Sequence, residues 1–215
     1  MHQTCSPPIL YFGTPVVLVS SLNEDGTTNL APISSAWWLG WNCVLGFGAR
    51  SHTPRNIVRT RECVLNLPSV EQADAVDRLA KTTGSSPVPP HKVAMGYQHV
   101  ADKFARAGLT PMPSTRVAPA RVRECPVHLE ARLTSTFGLR EGDPEARGRL
   151  VALEVEVLAV HVEASLLAGP DRVDPHRWRP LMMSFQELFG LTPQVRPSTL
   201  ATIPEEMYRS ARRPS

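Results

Sequence analysis

Leu150-Val151-Ala152-Leu153-Glu154-Val155-Glu156-Val157-Leu158-Ala159-Val160-His161-Val162 reads as one long strand. Val151, Leu153, Val155 and Val157 fall on one face, and Glu154 and Glu156 on the other. That two-residue period belongs to a pleated chain with one face in a core. Val127-His128-Leu129-Glu130-Ala131-Arg132-Leu133 repeats the pattern, apolar at odd numbers and polar at even ones. On this pattern His128 is a strand-surface residue. Upstream, Pro15-Val16-Val17-Leu18-Val19-Ser20 is a short apolar run rich in β-branched residues. Asn23-Glu24-Asp25-Gly26 is a turn, with Gly supplying the positive φ. The chain returns through Asn29 to Ser35, so the two runs form an antiparallel hairpin. Val44 to Gly48 and Cys63 to Leu67 add two more strands.

Helical patterns are few. One begins at Thr53. A second spans Val70 to Lys81, with Val70, Ala73, Val76 and Ala80 on one side. A third suits His99 to Ala107. The stretch from Thr82 to Lys92 is rich in Gly, Ser and Pro and reads as a loop inside the domain. Many strands with few helices predict a β-barrel carrying small helices. The segments divide into an N-terminal arm (1–13), a barrel domain (14–190) containing the 82–94 loop, and a C-terminal extension (191–215).

The chain has 215 residues, enough for one domain with a real core. Its formal charge of +3 is accounted for by Arg209, Arg212 and Arg213, so a nucleic-acid groove is not implied. The start, Met1 to Pro8, has no basic patch leading into an apolar run, and no uncharged apolar segment is long enough for a bilayer. Cys5, Cys43, Cys63 and Cys125 form no C-x-x-C pair. They read as small apolar residues in a reducing cytoplasm, where the protein is expected. The seven histidines are scattered singly, without metal-ligand spacing.

Chemistry is signalled by Ala49-Arg50-Ser51-His52-Thr53-Pro54-Arg55-Asn56-Ile57. Thr53-Pro54 reads as a helix start, with Thr as cap and Pro at the first helical position. Unpaired N–H groups and a partial positive charge make such a start an anion site. Arg50, Arg55, His52 and two hydroxyls surround it, and a phosphate would find all of them in one place. An ordinary solvated helix start with flanking arginines has the same local signature.

Taken in order, these segments resemble the flavin reductase-like, FMN-binding split-barrel family. The resemblance runs through Thr14-Pro15-Val16-Val17, Asp25-Gly26, Asn29-Leu30-Ala31-Pro32-Ile33-Ser34-Ser35 and Arg50 to Ile57. It continues through Val64-Leu65-Asn66-Leu67-Pro68, Asp102-Lys103-Phe104, Ala107-Gly108-Leu109 and Glu124 to Glu130. It spans roughly residues 14 to 180. The fold implied is a mainly β, antiparallel Greek-key split β-barrel of six or so strands. The resemblance also implies a homodimer with FMN in a cleft near the subunit boundary. Family members reduce flavin with NADH or NADPH, often for a flavin-dependent monooxygenase, or pass electrons to a redox partner. Carried onto this chain, Ser34 and Ser35 would touch the ribityl chain and phosphate. Ala31, Pro32 and Ile33 would lie along the isoalloxazine. Arg50, His52 and Thr53 would hold the phosphate, with Ser51 and Asn56 as further candidates. Lys103 matches the Asp-Lys-Phe signature.

The residues themselves support a flavin: a dianion site at one end and, in Ala31-Pro32-Ile33, an apolar wall at the other. Trp37-Trp38-Leu39-Gly40-Trp41 stands where the family often has a Pro pair. Three tryptophans there line the flavin slot, form a dimer contact or fill the core, with packing expected. No acid/base pair or nucleophile constellation appears, which suits an enzyme whose cofactor carries the chemistry. No G-x-G-x-x-G is present, so the nicotinamide would lie over the flavin in an open cleft. Three activities fit: an NAD(P)H-dependent flavin reductase, a non-catalytic FMN electron carrier, or a tailoring enzyme acting on a larger substrate.

Overall fold

Alternating and apolar runs become strands here because each has a core to face. The computed structural model describes residues 1–208; Arg209, Arg212 and Arg213 lie outside the described residues. The main strands and helices are β1 (Phe12–Pro15), β2 (Val17–Leu22), β3 (Thr28–Ile33), β4 (Ala36–Leu39), β5 (Asn42–Gly48), α1 (His52–Thr60), β6 (Glu62–Leu67), α2 (Ala73–Arg78), α3 (Pro90–Ala94) and α4 (Lys103–Ala107). The long strands β7 (Val127–Leu139) and β8 (Leu150–Val162) follow, then β9 (Leu181–Ser184) and β10 (Glu187–Gly190). Seven of these strands make one antiparallel sheet in the order β3-β2-β6-β7-β8-β5-β4. β1, β9 and β10 form a smaller sheet beside it.

The two edge strands of the large sheet, β3 and β4, are consecutive in the chain. Only Ser34 and Ser35 separate them. The sheet therefore curls until its edges meet at that dipeptide. Gly46 N–H donates to the Ser35 carbonyl at 2.7 Å. A Cβ on Gly46 would stand 2.9 Å from Ser35 Cβ, so the close crossing requires glycine.

Inside the curl lie Val17, Val19, Cys43, Leu45, Cys63, Leu65, Leu129, Leu153 and Val155, with Ile57 of α1 plugging one end. Outside it, Val16, Leu18 and Leu30 pack under α2 (Ala75, Val76, Leu79) and α4 (Phe104, Ala107). Burying each such side chain is worth about 1.5–3 kcal/mol. Because β2 is covered on both faces, its sequence is a continuous apolar run rather than an alternating one.

Several local readings change. The Val70–Lys81 segment is a 3₁₀ turn, Val70–Gln72, followed by α2. Its buried side carries Ala75 and Leu79, while Ala80 is exposed. The loop after Thr82 contains the short helix α3. The helix expected from His99 starts only at Lys103, and Gln98–His99 instead pairs in parallel with Thr82–Thr83. The sheet has seven strands rather than about six, because the tryptophan segment forms β4. Of its tryptophans, Trp38 packs against the inner core, whereas Trp37 (56% exposed) and Trp41 (38%) face outward.

Candidate functional site

The start of α1 faces the ends of β2 and β3. Its cap is Ser51, not Thr53; the Ser51 side chain makes no capping hydrogen bond. Thr53 and Pro54 are the second and third helical residues, and both are buried. Local pattern could not separate the two hydroxyls of Ser-His-Thr-Pro. Tertiary packing chose between them, because Thr53 is claimed by Asn29. Asn29 Nδ2 donates to Thr53 Oγ1 at 3.1 Å and to Ser21 Oγ at 3.3 Å. Asn56 Nδ2 donates to Ser21 Oγ at 3.3 Å and to Asn23 Oδ1 at 2.9 Å. The amide donors of Asn56 are thus spent inside the protein.

His52 Nε2 lies 2.8 Å from Asn23 Oδ1, an oxygen already accepting from Asn56, so Nε2 carries the proton and donates. His52 Nδ1 is left buried with no hydrogen-bond partner. Burial, then the charges of Lys103, Arg55, His99 and Lys92, hold this imidazole below its ordinary pKa. Gly84 brings a further backbone segment against the ring. A Cβ there would meet His52 Cδ2 at 2.5 Å and Asn29 Oδ1 at 2.9 Å.

Lys103 opens α4, whose cap Asp102 accepts from Ala105 N–H at 2.9 Å. The lysine is 3% exposed. No ion pair or hydrogen bond joins its ammonium to any described residue. Burial, reinforced by the charge of Lys92, brings its pKa down to about 8. An ammonium removed from water without a partner is costly. Together with the unpaired His52 Nδ1, it shows that these residues fit an anionic group such as a phosphate.

The other residues marked in the sequence are placed as follows. Arg50 and Arg55 are exposed and Ser51 is half-buried, all at the α1 start. Ala31, Pro32 and Ile33 are half-buried along β3. Ser34 and Ser35 follow at the junction, where Ser35 Oγ lies 3.1 Å from Tyr11 OH. From Asn29 to Ser35 the extended chain spans about 20 Å. Sequence reasoning missed Lys92, Asn23, Asn29 and Gly84 as parts of this place, and saw His99 only as flanking a loop. No local pattern marks them, since they come together only through the turn after β2 and the 82–99 segment.

His128 requires correction. It is 6% exposed rather than on the surface, and its Nε2 donates to the Val122 carbonyl at 2.7 Å. Glu130 beside it is fully buried. Residues 113–121 cover this face and satisfy the carboxylate. Thr115 N–H donates to both oxygens at 2.9 and 3.0 Å, Arg116 N–H adds a bond, and His161 Nε2 reaches Oε1 at 2.7 Å. Burial pushes the Glu130 pKa upward, but these hydrogen bonds outweigh it and leave it below the usual carboxylate range. Its oxygens are fully engaged in holding the segment. All four cysteines are free thiols, and burial raises Cys43 to about 12. Among the described residues no cluster of three or more metal-ligating side chains exists, and no helix is long and apolar enough to cross a membrane.

Comparison with known proteins agrees with this architecture. An uncharacterized protein, YdfE, of Bacillus subtilis (strain 168) is 37% identical over 189 residues, covering 88% of this chain and 89% of that one. Flavoredoxin of Desulfovibrio vulgaris (Miyazaki F) superposes with a TM-score of 0.74 at 20% identity, covering 94% of this chain and all of that one. Nitrilotriacetate monooxygenase component B from Bacillus cereus gives 0.70 at 21% identity, covering 86% and 88%. The fold is the split barrel of flavin reductases. The family model described as flavin reductase like domain matches residues 9–191, so the chain belongs to the flavin reductase-like family.

Proposed function

We propose that this protein is an NAD(P)H-dependent flavin reductase that binds FMN, with the phosphate at the α1 start and the ring toward Ser34 and Ser35. The observation that carries this reading is Lys103, a buried ammonium lacking a counter-charge beside an unpaired His52 nitrogen. Lys103 would neutralise one phosphate charge. A dianion beside His52 would raise its pKa, so that Nδ1 takes up a proton and donates. Arg50, Arg55 and the free amides after Ser51 would complete the cradle. Thr53 can still donate its hydroxyl proton. Asn56, its donors committed, is a positioning residue. Ala31, Pro32 and Ile33 would form the ring's apolar wall.

Bound FMN supplies acceptance of a hydride from nicotinamide. The protein's part is to bind, orient and exclude water, which accounts for the lack of an acid/base pair. The exposed Trp37, Leu39 and Trp41 support a homodimer interface, and the reduced flavin would serve a monooxygenase or another redox partner.

The test is calorimetric titration of FMN and riboflavin, followed by anaerobic stopped-flow mixing with NADH and NADPH. FMN should bind far more tightly than riboflavin, and Lys103→Met should weaken FMN alone, by about 1.5–3 kcal/mol. Equal losses for both ligands would reject the phosphate assignment. Flavin reduction too slow for turnover with either donor would leave the electron-carrier reading.

A further inference from the structure

We propose that the barrel end opposite α1 holds a second ligand site, for a flat, uncharged aromatic molecule of one or two fused rings bearing a carbonyl-type acceptor. A cavity of about 420 Å³ lies there, between Trp38 and Trp178, with Leu67, Leu129, Pro180 and Met182 among its walls. Such a volume is in the range of small-molecule sites and far above ordinary packing voids. None of its lining residues is charged. That excludes the phosphates of a flavin or a nicotinamide dinucleotide from the interior and selects an uncharged compound.

The walls are fixed rather than collapsible. Val16 N–H donates to the Leu181 carbonyl at 2.9 Å, and Leu181 N–H to the Pro68 carbonyl at 3.0 Å. Ser69 and Pro180 form a bridge across the rim. Two indoles offer broad faces for stacking an aromatic ring. Trp38 also carries the single specific feature, an Nε1–H that is buried and has no acceptor. An unpaired buried donor is a standing penalty that a ligand carbonyl would remove. Pro15 and Val16, also in the wall, precede Val17, which pairs with Ile33. The site thus lies at the ring end of the flavin position proposed above. Its occupancy requires no flavin.

The experiment is equilibrium dialysis of the full chain, with and without FMN, against a matched pair: 2-acetylnaphthalene and 2-ethylnaphthalene. These differ in one carbonyl. The expected result is saturable binding of both, unaffected by FMN, with the ketone preferred. Trp38→Phe should weaken the ketone about tenfold and the hydrocarbon less than twofold. Met182→Trp, which fills the cavity, should weaken both at least tenfold. Circular dichroism melting checks that each variant folds, and the wild-type pair alone remains decisive if one does not. Absence of saturable binding, an unchanged ketone preference in Trp38→Phe, or competition by FMN would each overturn the proposal. Ketone binding by a protein that fails to bind FMN would reject the flavin reading and leave this site intact.

Discussion

The two ends of the barrel are incomplete in opposite senses. At the α1 end there is more positive charge than the described residues neutralise: Lys103 is buried without a counter-ion and His52 Nδ1 without a partner. At the Trp178 end there is more apolar wall than side chain to fill it. The first deficit is electrostatic and acts over several ångströms. The second is one of volume and acts only at contact. A ligand that relieves one cannot relieve the other, so the two ends should respond independently to mutation and pH.

The strongest break between them is charge reversal. Lys103→Glu should reduce FMN affinity at least a hundredfold, about 3 kcal/mol or more, while 2-acetylnaphthalene binds within twofold of wild type. Calorimetry of both ligands on one preparation checks this. Parallel losses would mean the ends are coupled.

Nearly as large, and opposite in sign, is the effect on the empty protein. The Lys103 pKa, about 8 against an ordinary 10.5, is depressed by folding. Between these values the unfolded chain holds more protons, so stability rises with pH there. At neutral pH the charged lysine costs stability, by up to about 3 kcal/mol. Lys103→Met should therefore raise the urea midpoint of flavin-free protein while weakening FMN. FMN binding should take up protons, so affinity falls as pH rises through 8, and titration in buffers of different ionisation enthalpy reads the uptake.

A control lies between the two ends. Glu130→Gln should lower stability by about 2 kcal/mol, seen as a reduced Tm, and leave both ligand affinities unchanged. Because the Glu130 pKa is depressed, its contribution is present above the usual carboxylate range and is lost as pH falls through it. A Tm insensitive to Glu130→Gln at pH 7 would contradict the clasp. The smallest expected change is Gly84→Ala. The new methyl displaces His52 and should weaken FMN several-fold, about 1 kcal/mol, with riboflavin spared.

Much of the fold was legible because strand periodicity is local. The face carrying Val151, Leu153, Val155 and Val157 is buried as the alternation requires. The same rule misplaced His128. Alternation assigns polar residues to solvent unless something covers them, and the cover, residues 113–121, arrives from a distant segment with no strand pattern. The anion site was half legible. Arg50 to Asn56 announce a helix start in sequence, but the burial of Lys103 depends on α4 packing against the sheet. The cavity was not legible at all: its walls come from separate stretches, and an empty volume leaves no trace in any one of them.

An open sheet ordinarily offers two free edges, each a template on which another chain can add a strand. In this barrel both edges terminate on one dipeptide, Ser34-Ser35. The templates are therefore reduced to a single seam, and whatever rests across it shields both at once. Under the proposed function that cover is the flavin ring. Colloidal behaviour then follows from cofactor loading: preparations stripped of flavin should be the first to form strand-templated aggregates, and added FMN should delay their growth.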